Sequence, residues 1–176
     1  MEAFIMNTRI AVRFVLAVAV IMIGIVAFNS LAADDAKGTE LSKALAKVKM
    51  FAGLTGAERE SLKSAAMLRK AKAGELIIGN GKMLDRMYFI LDGQIEVWMK
   101  GKCIETATGQ SLVGEFEYLE KGPTTAEVRV SKDVELIEMN YVALTTLMEK
   151  QPRIGYVLMR EIAKSEIQRI LANNPK

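Results

Sequence analysis

The sequence predicts a mainly β fold with flanking helices (α+β), built as an antiparallel jelly roll or small β-barrel of roughly eight strands and preceded by an N-terminal signal or anchor helix. Three observations carry this. After Arg69, Gly74, Gly79, Gly81, Gly93, Gly101 and Gly109 punctuate short apolar runs, a spacing that suits short strands joined by tight turns. On either side of that block the apolar residues recur at helical period. Ahead of both, Phe14 to Phe28 is an unbroken apolar run behind the basic Arg9 and Arg13.

The elements follow in order. Residues 1–32 read as a signal peptide, because Ser30-Leu31-Ala32 supplies the small-x-small pattern at which signal peptidase cuts. The alternative is an uncleaved membrane anchor over residues 14–32, near the roughly 17–25 residues that a span needs. Both readings export the rest of the chain, to the periplasm or beyond, or anchored to the inner membrane; contact with a membrane is expected only if the segment stays uncut. Residues 33–44 are a linker and the start of the first helix, and residues 45–176 the folded domain with its C-terminal helix. Leu41, Leu45 and Val48 give a helical stripe, and Thr55-Gly56-Ala57-Glu58 matches a capping box that opens a second helix with Leu62, Ala65 and Ala66 inward. Strand segments follow at Leu76 to Ile78, Met87 to Leu91, Ile95 to Met99, Glu127 to Val130 and Val134 to Met139. After Asn140 the helical period returns: Leu144, Leu147 and Met148 mark one helix. Pro152 opens another, whose stripe is Ile154, Val157, Leu158, Ile162, Ile167 and Leu171.

Composition removes several function classes. The 176 residues carry 24 basic and 21 acidic side chains. Removing residues 1–32 deletes Glu2, Arg9 and Arg13 and leaves 22 against 20, a balance that gives no footing for a nucleic-acid partner. There is no histidine, so Ser-His-Asp triads, imidazole acid–base chemistry and histidine-bound metals are excluded. Cys103 is the single cysteine, so it has no internal disulfide partner and reads as a half-buried strand residue. No metal site, cofactor or catalytic residue is expected, and the chain is read as a non-enzyme.

The ordered motifs resemble those of the cyclic nucleotide-binding domain family, as in the effector domain of the catabolite activator protein without its helix-turn-helix. Val48 to Leu54 with the capping box resembles the family's opening helix and turn. Ala73-Gly74-Glu75-Leu76-Ile77 resembles its first strand pair, and Gly81, Asp85 and Met87 to Gly93 follow at the family's spacing. Gly109 to Val130 resembles its ligand cassette. The resemblance implies an eight-stranded jelly roll and a ligand site at Gly114, Glu115, Phe116, Thr124 and Thr125. Gly114 lets the backbone approach an anion, and the turn after it offers free N–H groups. Glu115 matches the glutamate that holds the ribose 2′-hydroxyl; the plainer alternative is that it caps its own turn. Thr124 stands where the family has the arginine that pairs with the cyclic phosphate. A charged hydrogen bond contributes about 1.5–3 kcal/mol against about 1 for a neutral one, so the exchange is expected to weaken phosphate binding about tenfold or more. Arg129 is on the wrong strand face to replace it, Lys121 lies on a loop, and Glu117 would repel a phosphate if it faced the ligand. Thr125, just after the missing arginine, hints at cyclic GMP over cyclic AMP.

Three readings of the site stay open: weak binding of cyclic AMP or cyclic GMP, a different small ligand, or a barrel with none. The expected function is an exported, non-catalytic sensor or regulatory module that passes occupancy through its terminal helix to a protein partner. The alternative is a structural or protein-interaction domain that keeps the barrel and binds no nucleotide. The terminal helix is also a candidate homodimer seam.

Overall fold

A computed structural model describes residues 36–173; the expected signal or anchor segment at 1–32 lies outside the described residues. Of the two compact units into which the chain divides, Met1–Thr39 and Glu40–Lys176, the first is described only at 36–39, helical residues at the start of helix α1 (36–47). No helix among the described residues is long and apolar enough to cross a membrane.

In the second unit, a 3₁₀ turn at Lys49–Phe51 leads to helix α2 (Gly56–Ser61) and a further 3₁₀ turn at Leu62–Ser64. The capping box is present: the Thr55 side chain accepts from the Glu58 amide, and the Glu58 carboxylate accepts from the Thr55 amide. Arg153 adds an ion pair to the same carboxylate. Leu62 and Ala65 are buried as the helical period requires. Ala66 is not a helical residue, because the chain turns there into strand β1 (Ala66–Ala71).

The remaining strands are β2 (Leu76–Ile78), β3 (Arg86–Met99), β4 (Lys102–Thr108), β5 (Ser111–Val113) and β6 (Glu127–Asn140). They form one antiparallel sheet in the order β1-β6-β3-β4, with β2 also on β6 and β5 also on β3. β3 and β6 run 14 residues each. Their pairing holds register from Met87↔Met139 to Ile90↔Leu136 and again from Ile95↔Val130 to Trp98↔Glu127, with shifts in between. Each long strand therefore turns a corner and supplies two of the jelly roll's segments, so the strand pairs read separately from sequence are halves of continuous strands. Gly93 sits in the bend at φ 98°, and a Cβ there would lie 2.2 Å from the Asp133 carbonyl oxygen. Only glycine meets both demands.

Alternation along these strands sorts two cores. Met87 and Phe89 pack with Ile137 and Met139 against the helices, joining Leu45, Phe51, Leu144, Ile154 and Leu158. Tyr88 and Ile90 point to the other face, into the barrel, with Ile95, Val113, Val128, Val130 and Leu136. A strand covered on both faces needs no polar alternation, which is why residues 87–91 form a continuous apolar run.

Helices α4 (Tyr141–Lys150) and α5 (Pro152–Asn173) close the unit. Ile154, Val157, Leu158 and Ile162 are buried as expected. Ile167 and Leu171 are not: they stand 56% and 62% exposed. Past Ile162 the inward face of α5 is polar, carrying Ser165, Gln168 and Arg169 towards the sheet.

Candidate functional site

Strand β5 sets the position of the cassette. Its pairing of Val113 with Tyr88 and Leu112 with Phe89 delivers Gly114 against the backbone of β3, where a Cβ would meet the Arg86 carbonyl oxygen and the Met87 Cα, both at 3.2 Å. Gly114 takes φ 87°, a left-handed conformation that turns the chain into helix α3 (Glu115–Glu120). The Tyr141 hydroxyl donates to the Gly114 carbonyl at 2.5 Å and ties this corner to α4.

Beside the corner lies a cavity of about 360 Å³. Gly114, Glu115, Phe116 and Thr125 line it, so the structure brings these four expected site residues together. Its walls are apolar residues of the barrel, including Ile78, Val97, Val113 and Val128. Apolar walls with a few convergent polar groups describe a small-molecule site.

Thr124 is not among the lining residues. It is 3% exposed, and its hydroxyl donates to the Gly79 carbonyl at 2.6 Å and accepts from the Lys82 amide at 2.9 Å. Its backbone continues the clasp, with the Thr124 amide donating to the Lys82 carbonyl and the Gly81 amide donating to the Thr124 carbonyl. Thr124 thus fastens the turn between β2 and β3. Arg129 and Lys121 also stay out of the cavity: Arg129 pairs with Glu127 and lies over the Trp98 ring, and Lys121 lines a separate groove between α3 and α4. Glu117 does line the cavity.

The cation that reaches the cavity comes from α5. Arg169 donates from Nη1 to Glu115 Oε1 at 2.6 Å and from Nη2 to the Leu112 carbonyl at 3.0 Å. Glu166 lies at 3.1 Å and Glu105 at 3.9 Å from the same guanidinium. Glu115 is 4% exposed. Its second oxygen, Oε2, is buried without a hydrogen bond from another residue, and the Ser111 hydroxyl on the same wall is likewise unpaired. Burial pushes the Glu115 carboxyl up to about 7, further than the neighbouring Arg169 pulls it down.

Sequence reasoning missed Arg169 and Glu105. The signal for Arg169 was its place seven residues after Ile162 and eleven after Leu158, which puts it on the buried face of the helix. Glu105 alternates with exposed neighbours on β4, and nothing in its local pattern distinguishes it.

Residues 68–151 match the family model described as the cyclic nucleotide-binding domain. A putative potassium channel protein of Rhodopseudomonas palustris is 26% identical over 115 residues, covering 63% of this chain and 28% of its own length. A cyclic nucleotide-gated potassium channel of Rhizobium etli is 27% identical over 116 residues, covering 66% of this chain and 32% of its own. The chain thus spans about a third of the length of these curated relatives. Among solved structures, a cyclic nucleotide-binding domain from Methylobacillus flagellatus superposes with a TM-score of 0.66 at 20% identity, covering 77% of this chain and 79% of that one. Residues 68–151 thus carry the pattern of the cyclic nucleotide-binding domain family, and the chain shares the fold of a solved cyclic nucleotide-binding domain.

Proposed function

We propose that the chain is a non-catalytic sensor module in which the cavity beside Gly114 and Glu115 takes a small ligand and helix α5 responds to it. One observation carries the reading: Glu115, at the position where the family holds a ribose hydroxyl, has one oxygen paired with Arg169 of α5 and the other buried without a hydrogen bond from another residue. A ligand that donates to this carboxylate acts directly on the group that fastens the terminal helix. Occupancy and the position of α5 are then linked in both directions.

The phosphate half of the cassette is degenerate in this reading, since Thr124 is committed to the turn at 79–82. The Rhizobium etli relative is named for gating by a cyclic nucleotide, which makes cyclic AMP and cyclic GMP the first ligands to try. Calorimetry on the full chain with both nucleotides, uncharged nucleosides and small amines tests the reading, with Glu115→Gln alongside. Heat from any of them, lost in the variant, supports it. Silence across the set overturns it in favour of a scaffold that keeps the barrel without a ligand.

The reading places the module outside the cytoplasm, on the strength of the apolar run Phe14 to Phe28 behind Arg9 and Arg13. Fractionation of cells expressing the full chain with a C-terminal tag checks this. Recovery in the cytoplasmic fraction at full length would overturn it.

A further inference from the structure

We propose that the cavity beside Glu115 selects an organic cation, an amine or amidine on a compact apolar body, over the anionic ligand its fold suggests. The proposal rests on the reading of this cavity as a ligand site and names the class of ligand.

The charge of the lining favours a cation. Three acidic side chains line the cavity, Glu105, Glu115 and Glu117, against one cation, Arg169, and Glu105 and Glu117 alone outnumber that cation when Glu115 holds a proton. Arg169 has no charge to spare for a ligand: it faces Glu115 at 2.6 Å, Glu166 at 3.1 Å and Glu105 at 3.9 Å, and it donates to the Leu112 carbonyl. A phosphate monoanion entering here meets a surplus of like charge and no free partner for its own. Desolvating a charge without a partner is among the most costly events in binding.

The buried carboxylate at the cavity wall favours the same class of ligand. Glu115 Oε2 is buried and takes no hydrogen bond from another residue, its own backbone amide being the donor nearby, and the residue is 4% exposed. A buried carboxylate oxygen left bare carries its desolvation penalty uncompensated. It therefore rewards a ligand that brings N–H groups, and a charged donor rewards it most. The chain already shows the type of group that this carboxylate accepts, because the Arg169 guanidinium occupies its other oxygen. Arg169 stands as an internal occupant of part of the site. The rest of the cavity is lined by Ile78, Val97, Met99, Ile104 and Val128, surface that favours a hydrocarbon body. At about 360 Å³ it is near the lower end of ligand cavities, which span on the order of 300–1,000 Å³.

The test is calorimetry on the full chain with benzamidine, benzyl alcohol as its uncharged counterpart, and cyclic AMP. Benzamidine is expected to bind at least tenfold more tightly than benzyl alcohol, with cyclic AMP weaker than both. Arg169→Ala, which removes the internal competitor and leaves the packed first half of α5 untouched, is expected to strengthen benzamidine binding about tenfold. Glu115→Gln is expected to abolish it. Should that buried substitution fail to fold, Glu117→Gln at a half-buried position is expected to weaken benzamidine severalfold. Cyclic AMP binding more tightly than benzamidine, and weakened by Arg169→Ala, would overturn the proposal while leaving a ligand site with Arg169 as its anion partner. Benzamidine binding unchanged in every variant would place it elsewhere on the molecule and also overturn the proposal. No binding by any probe would remove the ligand site itself.

Discussion

At Thr124 both hydrogen-bonding roles of the hydroxyl are used inside the fold, towards Gly79 and Lys82. Thr124→Val keeps the shape, loses both bonds and leaves the Gly79 carbonyl and Lys82 amide short of a partner. The expected loss is about 1–3 kcal/mol, read from urea midpoints. Thr124→Arg, the obvious attempt to restore the family's cation, incurs the same loss before its charge reaches any ligand. A second residue with a sharp expectation is Gly93. Its left-handed φ costs any other residue about 1–2 kcal/mol and the contact with the Asp133 carbonyl about 1–3 more, so Gly93→Ala is expected to show a strongly lowered melting temperature. The sequence made Glu115 legible because a glycine followed by glutamate is a local pattern. It did not make the Thr124 clasp legible, because the groups that Thr124 binds lie about 42 to 45 residues earlier and meet it only after the barrel closes.

The two long strands and α5 show how far periodicity reaches among the elements. Glycine-bounded apolar runs locate the two halves of β3 and partial alternation those of β6, but the bend that joins the halves is a register shift between strands, a property of the pair and not of either segment. The start of β1 reads as helix, since Ala66-Met67-Leu68-Arg69-Lys70-Ala71 is made of good helix formers and its strand state comes from pairing with β6. On α5 the apolar stripe is buried as far as Ile162. Beyond it, Ile167, Ile170 and Leu171 stand exposed, because period reveals which residues share a face and not where the supporting sheet ends. Arg169→Ala tests what holds that second half. Amide exchange at residues 163–173 is expected to quicken about tenfold or more while residues 154–162 keep their protection, since the buried residues there are untouched. Uniform loss of protection along the helix would show that the two halves are one cooperative unit.

For the molecule as a whole, two carboxylates pull stability in opposite directions with pH. Arg153 and the Thr55 cap hold Glu58 down to about 2 from 4.5. Its contribution is therefore complete above about pH 4.5 and is lost as pH falls towards 2. Glu115 is raised to about 7, so the native state binds its proton more tightly than the unfolded chain does. Its contribution is complete below about pH 4.5 and declines as pH rises towards 7. The difference in urea midpoint between the natural chain and Glu115→Gln is expected to change between pH 4.5 and 7. The corresponding difference for Glu58→Gln is expected to change only below that window. The anchoring of α5 has a mechanical side as well. Its N-terminal half is clamped by Ile154, Val157, Leu158 and Ile162, while its far half is tacked down through the Arg169 guanidinium. That arrangement is a cantilever with a release catch near its tip. Freeing the catch leaves the clamp intact, so any movement that follows loss of the Arg169–Glu115 pair is expected to be confined to the far half of the helix.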